Sequence, residues 1–244
     1  MTTAPEDPRL TGKHVRSVTS TAGTVTLVGV VHDHPASVYR VRRVLEAREP
    51  DVLALELPPI SLSLFEAYAR DVRTPPVFGG EMSAAIQAAD TDDVVGIDGP
   101  TTGFTLRLAR TLVRERASRS TVKSVIRGLY SVSKDAVRCR LAGAIAALTS
   151  VRLEVNTPLG YEVTREDDPA SQAADERTQI RRARAVMDTF EPSRAVQFRD
   201  ATREAHMADQ LIKLRQRGDV VAVVGRGHLD VVVEHVAGTT DRTH

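Results

Sequence analysis

Residues Thr24 to Val31 read TVTLVGVV and run straight into His32-Asp33-His34. The stretch is β-branched, has no 3.6-residue period and is apolar on both faces, which predicts a strand buried from both sides. Three further runs share this character: Asp51 to Leu57 (DVLALEL), Asp93 to Ile97 (DVVGI) and Asp219 to Val224 (DVVAVV). Between the first two, Val38, Val41, Val44 and Leu45 fall on one helical face, and Pro50 ends the pattern. Helices are expected again in LSLFEAYARDV and, after Gly79-Gly80, in EMSAAIQAAD. Strands alternating with helices predict an α/β fold with a mainly parallel sheet flanked by helices.

A helical insertion, about 107–215, precedes the last strand. Thr105 to Leu148 reads as one or two long helices. TREDDPAS (164–171) reads as a loop, followed by a helix over about 175–189 and another over 201–218 that closes at Gly218. Between Arg107 and Arg140, ten basic residues face only Glu115 and Asp135, a local balance of +8. From Glu154 to Gln179 the balance is −5. Solvated or mutually facing helices account for such blocks. The alternatives are an anionic partner for 107–140, or a homodimer that pairs the two segments. The chain reads as one domain over 1–244, with 1–20 a flexible or edge segment.

Overall charge excludes some functions. With 33 basic and 32 acidic residues in 244, the net charge of +1 argues against a nucleic-acid binder. Cys139 is the only cysteine, which rules out an intramolecular disulfide and a paired-cysteine metal or redox site. Met1 to Lys13 lacks the apolar stretch of a secretory leader. The longest uncharged run that could suggest a membrane span, Leu141 to Val151, is far short of the ~20 apolar residues such a span needs. A cytoplasmic protein without a transmembrane segment is expected.

In open α/β sheets ligands bind beyond the carboxyl ends of the strands. The four strands deliver His32 and His34, Glu56, Asp98, and His228 to that edge. Gly29-Val-Val-His32 and Gly225-Arg-Gly227-His228 share a GxxH pattern, in which glycine permits close backbone approach. Glu56, set in an apolar strand, needs a partner, a proton or a metal if buried. Glu81 opens a helix after two glycines, where it complements the helix dipole or joins the site. Asp98 either caps the turn at Gly99-Pro100 or takes part in chemistry. His34, before Pro35, is expected to be exposed, and Arg226 is free to hold an anionic group. Gly225-x-Gly227 lacks the third glycine and the helix-opening context of a dinucleotide fingerprint.

These residues resemble the TraB/PrgY (pheromone-shutdown) family, which is related to the Tiki metalloproteases and more distantly to erythromycin-esterase and ChaN-like proteins. The resemblance rests on GVVH (29–32), PDVLALEL (50–57), GGEMSAAIQAA (79–89), VVGIDGPTTGFTLRLA (94–109) and the REAHMADQL…VVAVVGRGHLD region (203–230). It implies that His32, His228 and Glu56 are metal and catalytic groups, that Glu81 is the acid of the Gly-x-Glu-Met motif, and that Arg203 is its arginine upstream of Met207. Two arginines usual in the family are absent: Leu57 to Ser61 and Gly99 stand in their places. Arg107, Arg203 or Arg226 remains to orient substrate.

The expected function is a metal-dependent hydrolase of the peptidase or amidase type. A divalent Mn, Zn or Co ion would sit on His32 and His228, with Glu56 as third ligand or general base, and would activate a water. Asp98 or Glu81 would fix an imidazole tautomer. The alternative is a non-catalytic protein that sequesters a peptide or a haem-like ligand, with His34 as an open axial ligand for the latter.

Overall fold

A computed structural model of the chain describes residues 7–11, 13–148, 160–189 and 192–240. Five strands form one sheet in the order β1-β2-β5-β3-β4: β1 Val15–Ser20, β2 Gly23–Val30, β3 Val52–Leu55, β4 Val94–Gly96 and β5 Val220–Gly225. The four apolar runs are β2 to β5, all parallel. The edge strand β1 falls in the 1–20 segment expected to be flexible or an edge, where the sequence marks no strand. It pairs antiparallel with β2 through a tight turn at Thr21-Ala22, and its exposed, polar residues hide it from a search for apolar runs.

Among the described residues eight α-helices surround the sheet: α1 Pro35–Arg48, α2 Leu62–Ala69, α3 Gly80–Ala88, α4 Thr102–Arg114, α5 Arg119–Leu148, α6 Pro169–Thr189, α7 Arg194–Leu214 and α8 Arg226–Thr240. Strand alternation divides the core. Val25, Leu27, Ala54, Ala222 and Val224 pack with Met207, Leu211, Leu229 and Val232 of α7 and α8. Val28, Val30, Leu53, Leu55, Val221 and Val223 pack on the other face with Val41, Leu45, Leu64 and Met82. Both faces are covered, which is why the strand sequences do not alternate. Among the described residues no helix is long and apolar enough to cross a membrane.

Three helix boundaries differ from the sequence reading. α6 begins at Pro169, inside the expected loop, because the Asp168 carboxylate accepts from the amides of Ala170 and Ser171 and proline occupies the first helical position. α7 begins at Arg194, seven residues early, capped by the Ser193 hydroxyl. α8 opens at Arg226, so the helix-opening context judged absent at Gly225-x-Gly227 is present, although the third glycine is not. The acidic stretch docks within the chain: Glu176 pairs with Arg40 and accepts from Ser37 Oγ at 2.6 Å, joining α6 to α1. The part of that stretch at 149–159 lies outside the described residues.

Candidate active site

β5 lies between β2 and β3, with Val30 opposite Gly225 and Leu55 opposite Val223. Three strand ends that are distant in sequence therefore lie side by side. Immediately past them come His32, Glu56 and, in the first turn of α8, His228.

Glu56 and Asp98 are buried, with 8% and 7% exposure, and both are answered by one guanidinium. Arg203 of α7 donates from Nη2 to Glu56 Oε1 at 2.7 Å and to Asp98 Oδ2 at 2.7 Å, and from Nε to Asp98 Oδ1 at 3.0 Å. The second oxygen of Glu56 accepts from the Gly225 amide at 2.6 Å, and Asp98 Oδ1 also accepts from the Gly99 amide at 2.7 Å. Burial pushes the Arg203 pKa down, but the charges and hydrogen bonds of Asp98 and Glu56 hold it above its ordinary value. Asp98 thus caps its turn and also closes the ion cluster.

Each histidine of the GxxH pair has its Nδ1 held by a carboxylate. His32 Nδ1 lies 2.6 Å from Glu81 Oε1, while Glu81 Oε2 accepts from the Asp33 amide at 2.9 Å. The Glu81 hydrogen bond lifts the His32 pKa to about 9, against the opposing effect of burial. Gly80 sits at φ +50°, a conformation that favours glycine, and a Cβ on it would displace the Asp33 carboxylate, whose Oδ1 lies 2.1 Å away. His228 Nδ1 lies 2.9 Å from Glu204 Oε1, and that bond likewise raises the His228 pKa. Its Nε2 is 3.4 Å from Arg203 Nη1 and 3.7 Å from Glu56 Oε1. An arginine N–H can only donate, so the Arg203 contact sets His228 Nε2 as the acceptor and Nδ1 as the nitrogen bearing hydrogen.

The other expected site residues fall elsewhere. His34 is fully buried rather than exposed. It caps α1, its Nδ1 accepting from the Ala36 amide at 3.1 Å, and its Nε2 reaches Asp175 at 3.1 Å. Both ring nitrogens are engaged, so the axial position that a haem-like ligand asks of His34 is closed. Arg226 pairs with Asp230 at 3.0 Å one turn along its own helix, and Arg107 pairs with Asp209. Of the three arginines left for substrate, only Arg203 is in the cluster. Gly29 sits under Leu229, where a Cβ would meet a methyl at 2.8 Å, whereas nothing lies within 4 Å of a Cβ on Gly227. Close approach accounts for Gly29 and not for Gly227, while a Cβ on Gly225, the glycine of the second GxxH, would be in ordinary contact 3.4 Å from Glu56 Oε2.

Sequence reasoning missed Glu204 and Tyr161. Glu204 adjoins Arg203 in REAHM, and neighbours ~100° apart on a helix can serve two sides of one cluster, so the pair carried a readable signal. Tyr161 donates its hydroxyl to the His32 carbonyl and sets its ring 4.7 Å from that of His34. Nothing in its loop sequence marks it.

The expected ion on His32, His228 and Glu56 does not fit this donor set. Among the described residues no three His, Cys, Asp or Glu side chains are grouped to hold a metal. The Glu56 carboxylate is filled by a guanidinium and an amide, so a cation already stands where the ion's charge would go.

No family model matches the chain, and no curated protein does. The TraB/PrgY resemblance therefore rests on the motifs quoted above. Among solved structures, a mutant of the erythromycin esterase EreC in its open conformation is similar over 89% of this chain and 69% of its own, at 14% identity and a TM-score of 0.33. A similarity of that size assigns no activity.

Proposed function

We propose that the protein is a hydrolase that cleaves a carboxylic amide or ester by imidazole acid–base chemistry in the crevice beyond β2, β3 and β5. One observation carries this reading. Two histidines 196 positions apart in the chain reach adjacent strand ends, each with Nδ1 fixed by a carboxylate, at 2.6 and 2.9 Å. A carboxylate on Nδ1 sets the tautomer and leaves Nε2 for the reaction, as in triad hydrolases.

The two rings differ in readiness. His32 carries a side chain 57% exposed and a pKa raised to about 9, so at neutral pH it is an imidazolium placed to protonate a leaving group. His228 takes a proton from water at Nε2 once the carbonyl oxygen of a substrate draws Arg203 Nη1 away from that nitrogen. Arg203, held in place by Glu56 and Asp98 through Nε and Nη2, keeps Nη1 as the donor for the oxyanion that develops on the carbonyl. The metal-dependent form of this reading is the less favoured, because Arg203 occupies the carboxylate it needs.

The test is hydrolysis of activated esters and of acyl-amides by the wild type, His32→Asn and His228→Asn, each with and without a chelator. Both variants are expected to lose roughly 10²- to 10⁴-fold in kcat/KM with the fold intact, and the chelator to have no effect. Full activity in both variants would overturn the assignment. Loss on chelation with rescue by Mn, Zn or Co would restore the metal reading.

A further inference from the structure

A second concavity lies on the flank of α1, behind the segment that carries His32. It is a pocket of about 120 Å³ walled by Pro35, Tyr39 and Arg42 of α1, by Arg9, by Pro75 and by Arg165 from the loop before α6. At ~30 Å³ per water in the liquid, the space suits a small ion or the end group of a small molecule.

Three arginines line it, and they are not equally occupied. Arg9 is spent on the protein itself: Nε and Nη2 grip Asp7 at 3.0 and 2.7 Å, Nη1 donates to Gln172, and the guanidinium carbon lies 3.3 Å over the centre of the Tyr39 ring. Arg42 reaches Glu46 at 3.6 Å through Nη2, yet its Nε–H is buried without an acceptor. Its side chain is 26% exposed and hydrogen-bonds to no described residue, which leaves its Nη donors for an arriving acceptor. Arg165 donates only to the Pro76 carbonyl, at 3.3 Å, and no carboxylate among the described residues pairs with it. Burial pushes its pKa down, and the neighbouring Arg42 charge pushes the same way against Glu166 and Asp33. The loop that carries it is fixed, since the Gln172 amide nitrogen reaches the carbonyls of Thr164, Arg165 and Asp167 at 3.0, 3.2 and 2.9 Å.

We infer that this pocket binds an oxyanion, a phosphate or carboxylate group carried by a small molecule, between Arg42 and Arg165, with Tyr39 and Pro75 as its apolar walls. Guanidiniums suit such groups because their forked N–H donors match the oxygens. The inference stands apart from the hydrolase reading, and its test involves no turnover.

The experiment is isothermal titration of the full chain with inorganic phosphate and, separately, with acetate, at matched ionic strength. Saturable one-to-one binding is expected for at least one of the two, with a Kd of about 1 mM or tighter. Whichever binds better identifies the group. Arg42→Gln and Arg165→Gln are each expected to weaken it about tenfold or more, the loss of one charge-assisted contact. Arg110→Gln, an exposed position on α4, should change nothing. Arg165 is exposed at the rim, so its variant keeps the test open if Arg42→Gln fails to fold. No saturation by either anion up to roughly 20 mM, well past that range, overturns the proposal, as does equal weakening by the Arg110 control.

Discussion

The two rims of the sheet use the same residue types to opposite ends. At the amino rim, Asp51, Asp93 and Asp219 each stand one residue before a parallel strand. They work in water: Asp51 accepts from the Asp219 amide at 2.7 Å, Asp219 accepts from the Thr24 amide at 2.8 Å, and Asp93 pairs with the half-exposed Arg217. At the carboxyl rim, Glu56 and Asp98 are buried and share the single guanidinium of Arg203. Acid at a strand end is therefore no sign of a site by itself. What separates the rims is whether the charge has been taken out of water and faced with another. The first arrangement ties off loose backbone donors. The second confines a field in a low-dielectric crevice, where a reaction can feel it.

The contrast breaks if substitution costs the same at both rims. The largest effect is expected for Arg203→Gln, which strands two buried carboxylates. By the general cost of breaking a buried pair it should lose about 3–5 kcal/mol in denaturant unfolding, together with all hydrolysis. Next comes Asp51→Ala, which unseats the Asp219 amide and should cost about 1 kcal/mol. Arg217→Gln, at the half-exposed pair with Asp93, should cost no more than ~1 kcal/mol, and less as salt is added. Equal losses in Arg203→Gln and Arg217→Gln would erase the distinction.

Proton titration sharpens the comparison from another side. In Glu81→Gln the His32 pKa should fall from about 9 toward the ordinary 6.5, read by NMR of its ring protons. Its folded pKa lies above the unfolded one, so the stability the pair contributes is complete below pH 6.5 and fades as pH rises through about 9. With the His32 side chain 57% exposed, that contribution is screened to ~1 kcal/mol or less. Hydrolysis should follow the same protonation, falling above pH 9 in the wild type. The limb should move to lower pH in Glu81→Gln.

What could be read without coordinates divides on the same physical line. The parallel strands are legible because burial on both faces demands unbroken apolar runs, and a polar residue at the end of such a run stands out. His32, Glu56, Asp98 and His228 are visible for that reason. Their partners are not, because they arrive from helices far along the chain, such as Arg203, which lies 147 positions from Glu56. Helix periodicity shows which face is buried and not what that face meets. His34 misleads because a histidine before proline reads as an open turn. Here proline starts α1 and the imidazole takes the capping role usual for serine or aspartate. β1 is missed because an edge strand with one wet face has no apolar run to display.

The place of β5 has a consequence in time as well as in space. The strand made last is the one that sits in the middle, between β2 and β3. A nascent chain that has emerged only as far as Gly218 holds two sheet fragments with unpaired edges facing a gap, and lacks His228 and the amide that anchors Glu56. The Glu56–Arg203–His228 cluster therefore forms in one step and not in stages. A ribosome that stalls inside the helical insertion leaves a chain with the inner edges of β2 and β3 unpaired, the kind of intermediate that chaperones hold and proteases clear. The β2–β5 pairing spans about 195 residues, a separation that slows its formation, and the crevice is complete only once β5 has joined both neighbours.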